Sequence, residues 1–387
     1  MKWINFLHFY QPPTATDEMI HEVVKSSYQS WADFLIKHSE CKVTINFTAC
    51  LTERLYNLGY EKLLNQFSEL AIKGQIEFVE SLAFHALAPL IPEKEVIKQI
   101  KINNEISKNR FGKTYQPIGF FLPEMAYSEK VGKVISELGY KYIILDEIAL
   151  DTSSKIQVPS SKKNSKYKIK NTNLFVVFRN RDLSHGFVPD EILEYINKNS
   201  RQLALVTATD GELYGHRYWN WWTGYTEALK HLKTETLLEY LKNLKNEQEV
   251  EPRDCSWEST EDELQKNISF ALWQHPKNKI HKLLWKLANF VLKLNYKNED
   301  DENHFASRLH LESGLASCTF WWASGRDFKN LFGPKAWDPT FVEKGASELL
   351  NSIRSLNNIS SRKKLKAEKL YRKIHELIWK KHWKKYE

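Results

Sequence analysis

The chain has 387 residues, 42% hydrophobic and 27% charged, enough for one large domain and an annex with a sizeable core. No apolar run approaches the roughly 20 residues of a membrane span, so a membrane role is not expected. The formal charge of +8 invites a nucleic-acid reading. The excess is local, however: 361–387 carries all of it, and the remainder is formally neutral.

In chain order, short apolar runs rich in β-branched and aromatic residues alternate with longer amphipathic stretches. The opening "MKWINFLHFYQPP" has one lysine, a very short apolar stretch and no small-residue cleavage site, so it reads as the first strand and not as a signal peptide. Strands are expected at 3–9, 43–48, 75–80, 117–122, 142–146, 174–178 and 203–208. Between them lie helical patterns such as Val131, Val134, Ile135 and Leu138, opened by Ser128 as a cap and closed by Gly139. Strands apolar on both faces and separated by helices indicate a parallel sheet of βα units, open or closed.

The stretch 160–173, "SSKKNSKYKIKNTN", reads as an exposed hairpin or insertion between the fifth and sixth strands. After about 223 the strand signal disappears. Segments 224–246, 261–296 and 302–317 read as helices, with "NEDDEN" as an acidic linker. The tail from 361 places Leu365, Leu370, Ile374, Leu377 and Ile378 near helical spacing and reads as a docked amphipathic helix with a solvated lysine face. The four cysteines, Cys41, Cys50, Cys255 and Cys318, show no metal or redox spacing. They are expected as free thiols in a reducing, cytoplasmic compartment.

Polar residues decide between an open sheet and a barrel. His8 and Gln11, Glu80, Glu124, Asp146 and Glu147, and Asp210 and Glu212 all fall where strands end, and the strand ends of a βα barrel share one rim. No glycine-rich phosphate loop follows the first strand, which removes the main support for a nucleotide-binding open sheet. Carboxylates from different strand ends, one holding its proton and one ionised, are what cleavage of a glycosidic bond requires. In "GFFLPEMAYS" Pro123 keeps Leu122 extended and stops the strand, so Glu124 is presented on stiff backbone. In "TATDGELYGHRYWNWWTG" Asp210 and Glu212 bracket Gly211 ahead of His216 and several aromatics. A divalent-metal reading of Asp210, Glu212 and His216 matches no usual zinc spacing, and no cofactor or metal is expected. Thirteen tryptophans, with Phe320, Trp321 and Trp322 consecutive, suit either a sugar-stacking cleft or a core of large rings.

Five segments in order resemble glycoside hydrolase family 57: "LHFYQPP", "GQIEFVESLAFHALAPLI", "FFLPEMAY", "TDGELYGH" and, more loosely, "HLESGLASCTFWWAS". The resemblance implies an α/β fold, an incomplete, TIM-like seven-stranded βα barrel, with 1–223 catalytic and a helical region, 224–387, packed on it and contributing to the cleft. It implies that Glu124 is the nucleophile and Asp210 the general acid/base of a retaining enzyme. His8, Gln11, Glu80, His85, Glu212 and His216 fall on motif positions that line the donor-sugar pocket, with Trp222, Phe320, Trp321 and Trp322 as stacking candidates. The chain departs from the family by two residues, Phe9 and Tyr10, between His8 and Gln11, and by "SCTFWW" in the fifth segment.

The expected activity is hydrolysis or transfer of α-linked glucans or oligosaccharides, as in amylases, 4-α-glucanotransferases and branching enzymes. The rivals are a metal-dependent deacetylase or α-mannosidase-like enzyme on a related barrel and a catalytically weak carbohydrate-binding protein; nucleic-acid binding through the tail ranks behind both. Oligomeric state and linkage preference are not written in the sequence.

Overall fold

A computed structural model describes residues 1–150, 165–198, 204–326 and 336–384. The chain forms two compact units. The first comprises Met1–Gln11, Ala15–Ala83 and Ala88–Trp257; the second comprises Pro12–Thr14, Phe84–Leu87 and Glu258–Glu387.

The first unit is a mixed α/β structure built on two sheets. Its strands are β1 (Lys2–Phe9), β2 (Val43–Phe47), β3 (Ile76–Phe78), β4 (Gly119–Phe121), β5 (Tyr142–Asp146), β6 (Ser165–Ile169), β7 (Phe175–Arg179), β8 (Ala204–Asp210), β9 (Lys233–Thr234) and β10 (Asn246–Val250). One sheet runs β3-β2-β1-β8 with β9 also on β1, and the other runs β10-β6-β7-β5-β4. Every pairing is parallel except β6 with β7. All seven expected strands are present. They were legible because both faces are covered: β2 is buried at every position and β1 at every position after Lys2.

Two sets of bonds connect strands of different sheets. Glu80 forms a parallel bridge with Phe120, and Asn180 donates its backbone N–H to Val206 O while its side chain accepts from Val206 N. The helix Glu129–Glu137 starts as expected, with Ser128 accepting from Val131 N, and the chain turns away at Gly139 with φ of 92°.

One expectation is supported and one corrected in this unit. The hairpin expected within 160–173 is present in its described part, where residues 165–169 form β6 and pair antiparallel with β7; residues 160–164 lie outside the described residues. Strands, contrary to expectation, continue past 223: β9 separates the helices Trp221–His231 and Leu237–Asn243, and β10 follows them. β10, "NEQEV", buries only Val250, so neither strand nor helix periodicity marks it.

The second unit is helical. The expected helix over 261–296 is two helices, Glu261–Gln265 and Lys279–Tyr296, separated by turns that include Asn267 at φ of 56° and Pro276. The stretch 302–317 likewise becomes His304–Gly314 and a second short helix, Ser317–Trp321. In the acidic linker Asp301 is structural: its carboxylate accepts from the backbone of Asn303 and Asn358, which holds its pKa below the ordinary value. The tail forms the helix Ser361–Trp383, burying Ala367, Leu370, Ile374 and Ile378 while Leu365 stays exposed. Gly314 lets the helices His304–Gly314 and Pro339–Ser355 meet closely, since a Cβ there would lie 2.7 Å from the Leu349 side chain. No described helix is long and apolar enough to cross a membrane.

Candidate active site

The first sheet brings four of the expected residues together. In the parallel register His8 on β1 pairs with Asp210, the last residue of β8. The turn beyond is fixed by Gly211, whose N–H donates to His8 O and whose carbonyl accepts from Ser27 Oγ and Trp31 Nε1. Any larger residue would displace the Phe9 ring, because a Cβ there would meet it at 2.7 Å. The chain then presents Glu212, whose Oε1 accepts from Gln11 Nε2 at 3.3 Å while Oε2 is enclosed with no hydrogen-bond partner among the described residues. Burial first, and the charge of Asp210 second, push the Glu212 pKa well above its ordinary value. Burial likewise drives His8 down to about 4 despite its bond to Asn46 Oδ1, leaving a neutral imidazole. Tyr28, in contact with Gln11, is pushed up by burial and by Glu212.

Glu124 comes from the second sheet. Leu122 is extended, as its place before proline requires, and Glu124 and Met125 then take left-handed backbone at φ of 59° and 47°. Such a conformation is uncommon for a residue bearing a side chain and clusters at functional sites. Glu124 is held there by Trp257, whose backbone N–H donates to Glu124 O at 3.0 Å and whose indole Nε1 donates to Glu124 Oε2 at 2.9 Å. The Trp257 ring lies edge-on to His8, with centroids 6.4 Å apart. A chain of contacts therefore runs from Glu124 through Trp257 and His8 to the strand position of Asp210.

Trp257 is the residue sequence reasoning missed. It lies 133 positions beyond the glutamate it serves, in a "DCSWE" stretch that carries no pattern, so no local signal pointed to it.

The other expected residues fall elsewhere. Glu80 is fully buried in a closed polar nest of Asn103, Asn104, Tyr115 and Tyr140, and burial raises its pKa. His216 faces Glu22 at 3.8 Å. Trp222 packs edge-on to Phe34 with Lys37 over its ring. In the second unit His85, left-handed at φ of 57°, meets Ser317 Oγ at 2.8 Å. Phe320 is buried and stacked on Trp285 at 4.0 Å, which is core packing, whereas Trp321 and Trp322 form a half-buried edge-to-face pair.

Just after this site Gly215 has φ of 94°, and a Cβ there would lie 1.9 Å from Ser26 O. Gly215→Ala is expected to lower stability by about 2–3 kcal/mol in urea denaturation, from strain at positive φ and backbone overlap together. A change under about 0.5 kcal/mol would show that this turn yields freely.

Among the described residues no group of three or more His, Cys, Asp or Glu side chains is arranged to hold a metal ion.

A family model described as Glycosyl hydrolase family 57 matches residues 4–255. Alpha-amylase 1 of Dictyoglomus thermophilum is 31% identical over 144 residues, which cover 36% of this chain and 20% of that protein. An alpha-amylase of Pyrococcus horikoshii is 26% identical over 150 residues, 23% of its length. The chain thus covers about a fifth of these relatives. Among solved structures, a 4-alpha-glucanotransferase from Thermococcus litoralis superposes with a TM-score of 0.71 at 17% identity, covering 92% of this chain and 59% of that one. A GH57-type branching enzyme from Pyrococcus horikoshii superposes at 0.68 and 16% identity, over 97% and 95%.

Proposed function

This chain belongs to glycosyl hydrolase family 57, and on that premise we propose that it is a retaining enzyme of α-linked glucans or oligosaccharides, a hydrolase or a transglycosylase. Glu124 attacks the anomeric carbon and forms the glycosyl–enzyme ester while the glycosidic C–O bond breaks. Asp210 gives its proton to the departing oxygen and then takes one from the incoming water or sugar hydroxyl. The observation that carries this reading is the hold on Glu124, whose left-handed backbone and carboxylate are both fixed by Trp257 and whose ionised form the indole N–H favours, as a nucleophile requires. Asp210 ends β8 in register with His8, whose ring lies edge-on to the same Trp257.

Two architectural readings go with it. The β3–β4 bridge and the bonds between Asn180 and Val206 support taking both sheets as arcs of one incomplete seven-stranded barrel, with 1–223 as the catalytic portion. The free thiols Cys41, Cys50 and Cys255 favour a reducing compartment such as the cytoplasm.

The test is incubation of the purified protein and Glu124→Ala with maltooligosaccharides and with glycogen in the presence of chelator, followed by chromatography of the products. Shorter chains from the wild type alone mean hydrolysis; shorter and longer chains together mean transfer. Activity that vanishes with chelator would sink the metal-independent mechanism and favour the deacetylase or mannosidase-like rival.

A further inference from the structure

The segment Arg253–Trp257 lies across the ends of β4 and β5 as a strap. Arg253 N donates to Ala149 O and its side chain to Ile148 O. Cys255 and Tyr127 exchange backbone hydrogen bonds as an antiparallel bridge, and Trp257 N closes the series on Glu124 O. The strap ends on a buried ionic clamp. Asp146 accepts from Arg179 Nε at 2.7 Å and from Arg181 Nη1 at 2.9 Å; Arg181 Nη1 also donates to Trp257 O at 2.9 Å, and the Arg179 guanidinium sits 4.9 Å from the Trp257 ring centre.

From this geometry we infer that Trp257 is a positioning residue for the Glu124 carboxylate, with Asp146, Arg179 and Arg181 fixing the indole in place. The inference rests on the reading of Glu124 as nucleophile. An N–H directed at Oε2 stabilises the ionised carboxylate and fixes its plane, which leaves Oε1 as the attacking atom. Once the ester has formed, Oε2 is its carbonyl oxygen. The same N–H meets the negative charge that returns there when the sugar departs, so the contact serves both halves of the reaction. A guanidinium against the indole face makes the ring N–H a better donor.

The experiment uses the full chain and Trp257→Phe, which keeps an aromatic ring and removes the N–H. The expected result is a fall in kcat of about ten- to a hundredfold, the range for losing a hydrogen bond to a charged group. KM should stay within about threefold, and the acid limb of the pH–rate profile should move up by about one unit, because the ionised form of Glu124 has lost a donor. A loss of stability or a rise in KM with the acid limb unmoved would assign Trp257 to packing alone and overturn the inference. If Trp257→Phe does not fold, Arg181→Gln, which loosens the clamp without touching the ring, is expected to move the limb in the same direction by less.

A second readout is independent of turnover. In the 15N spectrum of the thirteen indoles, one resonance should shift with pH through a carboxylate ionisation and stop doing so in Glu124→Gln. No such resonance, or one that still titrates in Glu124→Gln, rejects the contact. A wild type that titrates in this way and yet processes no α-glucan would retain the contact and discard the proposed activity.

Discussion

Glu124→Gln is expected to reduce turnover of maltooligosaccharides by about 10⁴-fold or more, the scale on which loss of a covalent nucleophile acts. The amide occupies the same volume and still presents an oxygen to the Trp257 indole, so the fold should be intact and the Tm within a few degrees of wild type. A second variant separates loss of the nucleophile from distortion. In Glu124→Ala the vacated space admits a small anion such as azide, which can attack the anomeric carbon from the same face. The product would be a glycosyl azide of inverted configuration, formed by one displacement in place of two. Retention of more than about a tenth of wild-type activity in Glu124→Gln would exclude Glu124 as nucleophile and send the search to the other strand-end carboxylates.

Asp146→Ala is expected to cost about 3–5 kcal/mol in urea denaturation, because it leaves a buried guanidinium without its counter-charge. Asp146 is fully buried and Arg179 is 3% exposed. Arg179 keeps a bond to Ala208 O, but a neutral carbonyl does not replace a carboxylate. Asp146 also accepts from Ile148 N, so the start of the following turn loosens with it. Asp146→Asn keeps the shape and two of the acceptor geometries and should cost less. A loss below about 1 kcal/mol in Asp146→Ala would mean that water reaches Arg179 and that the clamp is not dry.

The sequence made the seven principal strands legible because each is apolar on both faces, as parallel strands under helices must be. β6 was legible only as part of a hairpin and β10 not at all, for the opposite physical reason. They lie toward one edge of their sheet, carry Lys, Glu, Gln and Asn, and bury at most their end residues, so their pairing is decided by neighbours in space. The candidate site divides in the same way. Glu124 and Asp210 stand in patterned segments at strand ends, where proline and glycine write the backbone into the sequence. Trp257 acts across 133 positions, and a distance of that kind leaves no periodicity to read.

Glu77 shows a further limit. It reads as an ordinary strand residue, yet its buried carboxyl group collects Tyr142, Thr44 and the backbone of Leu238, and burial raises its pKa. The high tryptophan count was ambiguous in sequence. Trp3, Trp31, Trp221 and Trp273 are fully buried, so much of that count reports core construction and not sugar stacking.

The left-handed backbone at Glu124 has a consequence for how this protein responds to change. A side chain at that φ carries a conformational cost of about 1–3 kcal/mol, one that glycine avoids at the same position. Glu124→Gly should therefore give back part of that stability while abolishing the chemistry. A screen that rewards only heat tolerance would favour its loss. Stabilising this chain by random improvement thus selects against its proposed nucleophile, and any such library needs an activity gate at every round.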